Sequence, residues 1–436
     1  MRKLFSSLLF ISVFIIANAQ DEKLDMYAIA RIKKEGLENS KVMDIAFHLT
    51  DVSGSRLTNS PGFFRAANWA RDEMKKWGLS NTALEPWGEF GKGWELKKSY
   101  IAMVSPYYRP LIGFPKTWTK GTNGLQNAEV FVVNAKDSIE LDQYHGKLNG
   151  KIVILYRTDT LKQSFTADAR RRSDEDLDKM AAAGPTAPRS QTTDTAQMRR
   201  MREQRNQGPG AMANRLRDFA NKEGAVAVLS MNPRGQDGTL FVQGGGAYAA
   251  TSPENFLDIV VAMEDYMSLM RLAKAGYPVK LDVDVQTAFS STDTKGYNVI
   301  AEIKGTDPKL KDELVMLGGH LDSWQGATGA TDNAAGCAVM MEAIRILKTL
   351  GIKPRRTIRI ALWSGEEEGL LGSRSYVKNH FADPATMELK PEHQKFSGYF
   401  NVDNGTGKIR GVYMETNEAV RPISSRLRKR SQKARS

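Results

Sequence analysis

The apolar pattern changes character along the chain, and the changes divide it. Residues 1–19 begin with Arg2 and Lys3, run apolar from Leu4 to Ile16 and close on Ala17-Asn18-Ala19. A basic start, an apolar stretch too short to span a bilayer comfortably and an A-x-A site predict an export signal. Asp21 to Leu49 has an amphipathic helical pattern. A helix from about Pro61 to Trp77, ended by Gly78, follows the segment Ser53-Gly54-Ser55-Arg56. From about Leu125 to Ala288 short β-type runs alternate with turns: Glu129–Val133, Lys151–Leu155 and Ala225–Leu229, with a helix closing over Phe219 to Gly224. Inside this stretch, 162–217 is rich in Arg, Ala, Met, Gln and Pro, includes Arg170-Arg171-Arg172, and predicts a solvated excursion. Trp87 and Trp94 are assigned to the core.

Three further apolar runs follow, and each leads into acidic residues. Leu314–Leu317 is closed by Gly318-Gly319 and leads to His320 and Asp322. Thr357–Trp363 leads to Glu366 and Glu367, and Tyr399–Val402 leads to Asp403. Asp332 lies in the glycine-rich loop 326–333, just before a helix predicted from about Ala334 to Leu350. In an open α/β sheet, ligands gather at the carboxyl ends of strands, so these loops predict one convergent site. Carboxylates with a single imidazole suit a divalent metal, zinc being the usual occupant. Asp332 is placed to bridge two ions. Asp322, two residues after His320, suits a carboxylate that orients the ligating imidazole. Of the adjacent Glu366 and Glu367, one can bind metal while the other moves protons. Taken singly each has an ordinary reading: Asp332 as a helix cap, the paired glutamates as partners of a helix dipole, His320 as a turn residue. Their occurrence together in this order favours a metal site.

The motifs Tyr297-Asn298-Val299-Ile300-Ala301, Gly319-His320-Leu321-Asp322-Ser323, Thr331-Asp332-Asn333-Ala334-Ala335-Gly336, Trp363-Ser364-Gly365-Glu366-Glu367-Glu368-Gly369-Leu370-Leu371-Gly372-Ser373 and Asn401-Val402-Asp403 together resemble the M28 family of co-catalytic zinc exopeptidases. The form Gly-His-Leu-Asp-Ser-Trp is nearer its plasma glutamate carboxypeptidase-like branch. The resemblance covers 297–405 well and 54–78 more loosely. It implies an α/β fold, a mixed, mostly parallel sheet flanked by helices, with an inserted, mainly β domain similar to a protease-associated domain. The implied division is 20–124 and 291–420 for the peptidase, 125–290 for the insert and 421–436 for a basic tail. It further implies two zinc ions: His320 and Asp403 on one, Glu367 on the other, Asp332 bridging and Glu366 as general base. A peptide is the implied substrate.

Charge and histidine count refine this. The formal charge is +12, but Arg2, Lys3 and the seven basic residues of 421–436 account for nine of those charges, so 20–420 carries only +3. With no basic–aromatic interleaving, nucleic-acid binding is not expected, and no later stretch is apolar enough to insert in a membrane. The one cysteine, Cys337, cannot form an intrachain disulfide and predicts a buried packing thiol. The family pattern needs a further histidine after the third aspartate. The five here are His48, His145, His320, His380 and His393, none after Asp403. The expectation is a weakly held second ion, unless His380 or His393 supplies the ligand, and an end that reads as premature. The alternatives are a non-catalytic binding module and a glutaminyl cyclase-like enzyme on the same scaffold. The Glu366-Glu367 pair favours the peptidase, and the predicted signal at 1–19 implies export, to a secreted or periplasmic location.

Overall fold

The computed structural model describes residues 25–161, 165–167, 169–184, 209–233, 235–405, 407–415 and 417–421. The predicted signal, residues 185–208 of the excursion and residues 422–436 of the tail lie outside the described residues. In chain order the helices are α1 (Met26–Glu38), α2 (Val42–Phe47), α3 (Pro61–Lys76), α4 (Ser138–Asp142), α5 (Asp174–Ala182), α6 (Pro209–Lys222), α7 (Met263–Lys274), α8 (Ala335–Thr349) and α9 (Leu371–His380). The strands are β1 (Ser80–Glu89), β2 (Gly93–Ser105), β3 (Arg109–Pro110), β4 (Gly113–Pro115), β5 (Gln126–Val133), β6 (Ile152–Leu155), β7 (Ala227–Ser230) and β8 (Asp258–Val261). They continue with β9 (Lys280–Ser290), β10 (Lys295–Ile303), β11 (Leu314–His320), β12 (Thr357–Trp363), the hairpin pair β13 (Ala382–Asp383) and β14 (Glu388–Leu389), and β15 (Phe396–Asn401).

The first sheet runs β1-β10-β12-β11-β15. It is mixed: β1, β10 and β12 pair antiparallel, whereas β11 lies parallel between β12 and β15. The parallel pairing is confined to the three strands whose carboxyl ends carry the acidic loops. Side chains alternate across the sheet as the period of a strand requires. Val299, Ala301, Leu317, Ile360 and Leu362 join Phe63, Ala67 and Met74 of α3 and Cys337, Met341 and Ile344 of α8 in one core. Ile300, Met316, Ala361 and Trp363 face Tyr376 of α9 and Phe381 on the other side. Helix α3 starts where the sequence predicts: Ser60 Oγ accepts from the Phe63 amide at 3.2 Å, Pro61 occupies the first turn, and Gly78, at φ +81°, follows its end.

The second sheet runs β3-β2-β9-β5-β6-β7-β8-β4. It corrects the expected boundary at 125. β2 pairs with β9 from Gly93↔Ser290 to Ser105↔Lys280, so 93–115 belongs to the second sheet. It also departs from the mainly β expectation. β5, β6, β7 and β8 are mutually parallel, and parallel neighbours need crossover connections, which are usually helical. α7 covers one face with Tyr266, Leu269 and Met270 against Ile152 and Ile154. α6 covers the other with Leu216 and Ala220 against Val153 and Val228. Where the sheets meet, Leu57, Trp87, Phe90, Trp94 and Trp118 form a small aromatic core, in keeping with the core reading of Trp87 and Trp94. No described helix is long and apolar enough to cross a membrane.

Candidate metal centre

β11 does not stop at Gly318-Gly319 as the sequence suggests; it continues through both glycines to His320. The glycines are there for space. A methyl on Gly318 would sit 1.9 Å from the Ala361 carbonyl oxygen, and one on Gly319 would sit 2.9 Å from that of Val402. These clearances bring β12 and the end of β15 close to β11, so that His320 emerges between their loops. The imidazole is buried, at 2% side-chain exposure. Its Nδ1 contacts the Asp322 carbonyl oxygen at 3.0 Å, which leaves Nε2 facing Asp332 Oδ1 at 3.0 Å, Asp403 Oδ1 at 3.2 Å and Glu366 Oε2 at 3.9 Å.

His320, Asp332 and Glu367 each offer a ligand atom, all within 4.8 Å of one another; they form the group able to hold a metal among the described residues. Asp403 meets the group through His320. Of the other histidines, His48 stacks on Trp69 at 4.6 Å and His145 Nδ1 lies 2.9 Å from Glu223. The suggestion that His380 or His393 completes the site is not met. His380 Nε2 sits 2.7 Å from Glu85 and its ring stacks on Tyr376 at 4.2 Å, while His393 is exposed in the 3-10 turn Pro391–Lys395.

Asp322 differs from its expected part. Its carboxylate is 3.7 Å from His320 Nδ1, too long for a hydrogen bond; the imidazole is oriented by the Asp322 backbone carbonyl. The carboxylate instead accepts from the Glu367 amide at 3.1 Å. It thus ties the loop after β12 to the loop after β11.

The electrostatics follow from crowding. Burial pulls the His320 imidazolium down, but the carboxylates of Asp322, Asp332 and Asp403 outweigh it and the net shift is upward. Burial, then the charges of Asp332 and Asp322, push Glu367 up to about 8. Burial, with Asp322, Asp403 and Asp332 nearby, also raises Glu366 despite the opposing pull of His320. The hydrogen bond from His320 holds Asp332 below its ordinary value. A folded pKa above the unfolded one means the native state binds more protons in that interval, so stability is lost as pH rises through it. His320, Glu366 and Glu367 all act in this direction, while Asp332 acts only below the usual carboxylate range. The metal-free chain should therefore show a thermal midpoint that falls between about pH 5 and pH 8, with added zinc restoring most at the upper end. A midpoint that is flat or rises over this interval would contradict the crowded-acid geometry.

Sequence reading passed over the residues that hold the loops together. Arg56 is fully buried. Its Nε donates to the Leu321 carbonyl at 2.6 Å, Nη1 to Leu49 at 2.9 Å and to Thr328, and Nη2 to Gly329 at 2.9 Å. Its backbone exchanges bonds with Ser323, 3.0 and 3.1 Å. One guanidinium thus joins the loop after β11 to the loop that carries Asp332, in the field of Asp322, Asp332 and Glu367. Thr58 does the same for the third loop, accepting from the Gly365 amide and donating to Glu368, both at 3.0 Å. The signal was an arginine in an otherwise small-residue run, Ser53-Gly54-Ser55-Arg56. Arg56→Met strands several buried carbonyls, and breaking such a network costs about 3–5 kcal/mol. Chemical denaturation should show a loss of this size, whereas a variant of unchanged stability would mean the loops hold without it.

Cys337 is a buried packing thiol, as expected, with a further contact: it donates to the His320 carbonyl at 3.0 Å, and burial pushes it up to about 12.

Residues 298–435 match the family model for peptidase family M28. Carboxypeptidase Q from Bos taurus is 26% identical over 387 residues, spanning 86% of this chain and 69% of that protein. Leupeptin-inactivating enzyme 1 from Streptomyces exfoliatus is 36% identical over 133 residues, 30% of this chain and 27% of that protein. The crystal structure of a peptidase M28 precursor from Shewanella amazonensis SB2B superposes with a TM-score of 0.56 at 24% identity, covering 92% of this chain and 80% of that one, and so shares the fold. The matched region takes in most of β10 and all of β11, β12 and β15, with the acidic loops at their ends, so this part of the chain carries a peptidase family M28 domain.

Proposed function

We propose that the chain is an exported zinc-dependent exopeptidase, hydrolysing a peptide bond near a terminus of a peptide, with Glu366 as general base. The observation that carries this is the environment of His320: one ring nitrogen tied to a backbone carbonyl, the other turned to three carboxylates. The donor set fits zinc. An imidazole fixed in orientation and carboxylate oxygens crowded within a few ångströms are what a divalent cation needs, and without one the carboxylates repel. His320, Asp332 and Asp403 would hold one ion; Asp332 and Glu367 would hold a second. The ion would supply Lewis acidity toward the scissile carbonyl and make water acidic enough to attack at neutral pH.

The chain's own groups do the rest. Glu366, raised by burial and 27% exposed at its side chain, takes the proton of the attacking water and passes it to the leaving amine. Asp322 sets the direction of the Glu366-Glu367 pair through the Glu367 amide. Asp332, with 67% of its side chain exposed, keeps the centre open to solvent and substrate. The second sheet's part of the chain, read as protease-associated-like from the sequence, meets the first sheet's loops through Trp118, which packs on Tyr248 at 4.7 Å and meets Trp324 edge-on at 6.3 Å. The export signal expected at 1–19 from the sequence supports action outside the cytoplasm.

The test is zinc content by atomic absorption alongside release of residues from unblocked peptides by the full chain. Zinc-dependent release of terminal residues supports the reading. Zinc bound with no release favours the binding-module alternative. Cyclisation of N-terminal glutamine in place of hydrolysis favours the cyclase-like one.

A further inference from the structure

His380 is the last residue of α9, and its side chain is 25% exposed. Both of its ring nitrogens face carboxylates from other elements. Nε2 lies 2.7 Å from Glu85 of β1, and Nδ1 lies 3.5 Å from Glu392 of the 3-10 turn Pro391–Lys395. That turn runs directly into β15. The ring also stacks on Tyr376 at 4.2 Å, and the next residue, Phe381, packs on Phe396, the first of β15, at 4.9 Å. One imidazole thus joins β1, α9 and the entry to the strand that leads to Asp403.

A neutral imidazole carries one N–H, and only the imidazolium donates at both nitrogens. Between two carboxylates, the neutral ring must turn a lone pair toward one of them. The carboxyl end of α9 and the face of Tyr376 also favour a cation here. The other charges nearby are engaged. Arg359 of β12 pairs with Glu302 of β10 and donates to the Tyr376 hydroxyl, Lys378 pairs with Asp383 of β13, and Lys390 donates to the Asn379 carbonyl. Arg359 alone competes for a partner of His380: its Nη1 lies 3.9 Å from the same oxygen of Glu392. The hydrogen bond to Glu85 first, with Glu392 adding to it, holds the imidazolium above its ordinary value against the opposing pull of burial. We propose that His380 is a proton-operated clasp: charged, it pins the turn before β15 to α9 and β1, and on losing its proton it releases Glu392 to Arg359 and the turn loosens. A group whose folded pKa is raised contributes stability that is fully present below the unfolded value, about 6.5 for histidine, and lost as pH rises through the folded one. The clasp therefore closes in acidic and neutral surroundings and opens in alkaline ones. It acts on the framework of the first sheet and does not depend on the exopeptidase reading.

Two measurements on the full chain test the clasp. In an NMR titration of the imidazole protons, the signal missing from His380→Gln identifies His380, and its midpoint should lie above about 6.5. Hydrogen-exchange protection of the amides of β15, Phe396–Asn401, should exceed that of His380→Gln severalfold near pH 6, and the two proteins should converge near pH 9. Titration of the metal-centre groups is common to both proteins, so the difference between them isolates His380. Glu392→Gln removes one of the two charges and leaves the Glu85 contact in place. It should lower the His380 midpoint and the protection of β15 together, and it decides the matter if His380→Gln does not fold. A His380 midpoint at or below about 6.5 overturns the clasp. So does a protection difference that stays the same at every pH, because a merely structural contact would give that result.

Discussion

Glu366→Gln should retain zinc and lose peptide turnover by at least about two orders of magnitude, the usual contribution of a positioned acid–base group. The amide keeps the shape and the 3.9 Å approach to His320 but cannot accept a proton at neutral pH. The loss should fall on kcat rather than KM, because proton transfer belongs to the transition state. Zinc content separates this from collapse of the centre: an inactive variant without zinc would indicate a ligand, not a base. Full activity in Glu366→Gln would remove Glu366 from the reaction and turn attention to Glu367, its neighbour on the same loop, which burial also raises.

Asp332→Ala should be the most damaging change to the metal centre. Asp332 touches His320 Nε2 at 3.0 Å and belongs with Glu367 to the same ligand group, so if it bridges as proposed its removal takes a donor from both proposed ion positions. Zinc content should fall at both, whereas Glu367→Ala should weaken only one. Removing supporting groups around a ligand typically costs about 10–100-fold in affinity, and removing a shared ligand should cost more. Equilibrium dialysis of zinc against the two variants reads the difference. An Asp332→Ala protein with unchanged zinc content would exclude the bridging role.

The strands of the first sheet were legible because their pattern is strong. Thr357–Trp363 reads as a strand from its branched and apolar run and is one over those residues, and the helix after Asp332 lies within a residue of its expected ends. His320, Glu366, Glu367 and Asp403 were legible because they lie at or just after the ends of such strands, which a parallel neighbour relation puts together, and Asp332 because it lies in a glycine-rich loop before a helix. Gly318 and Gly319 misled, since glycine marks turns more often than strand interiors. The reason for them is the closeness of Ala361 and Val402, residues far away in sequence. The boundary at 125 failed for a similar cause. β2 looks local, but its partner β9 lies some 180 residues further on, and register between such distant strands leaves no mark in either run.

The order of acids and one histidine after three strands, read by their residue types, was enough to mark a candidate metal centre, and the motifs around them carried the resemblance from which the fold class and the family were expected. These depend on local pattern: period-two apolar runs, a helix start, donors of one chemical class. Only the tertiary structure decided how the donors are held. It gave the orientation of His320 to a backbone carbonyl rather than to the Asp322 carboxylate. It gave the fastening of three loops to the buried side chains of Arg56 and Thr58. It also brought Glu368 to the same cavity as Trp118 and Tyr248, which come from the loops of a different sheet. The first spans only two residues but depends on how the loops pack; the fastening by Arg56 and Thr58 joins segments hundreds of residues apart, and such contacts follow from packing, which no single stretch of sequence encodes.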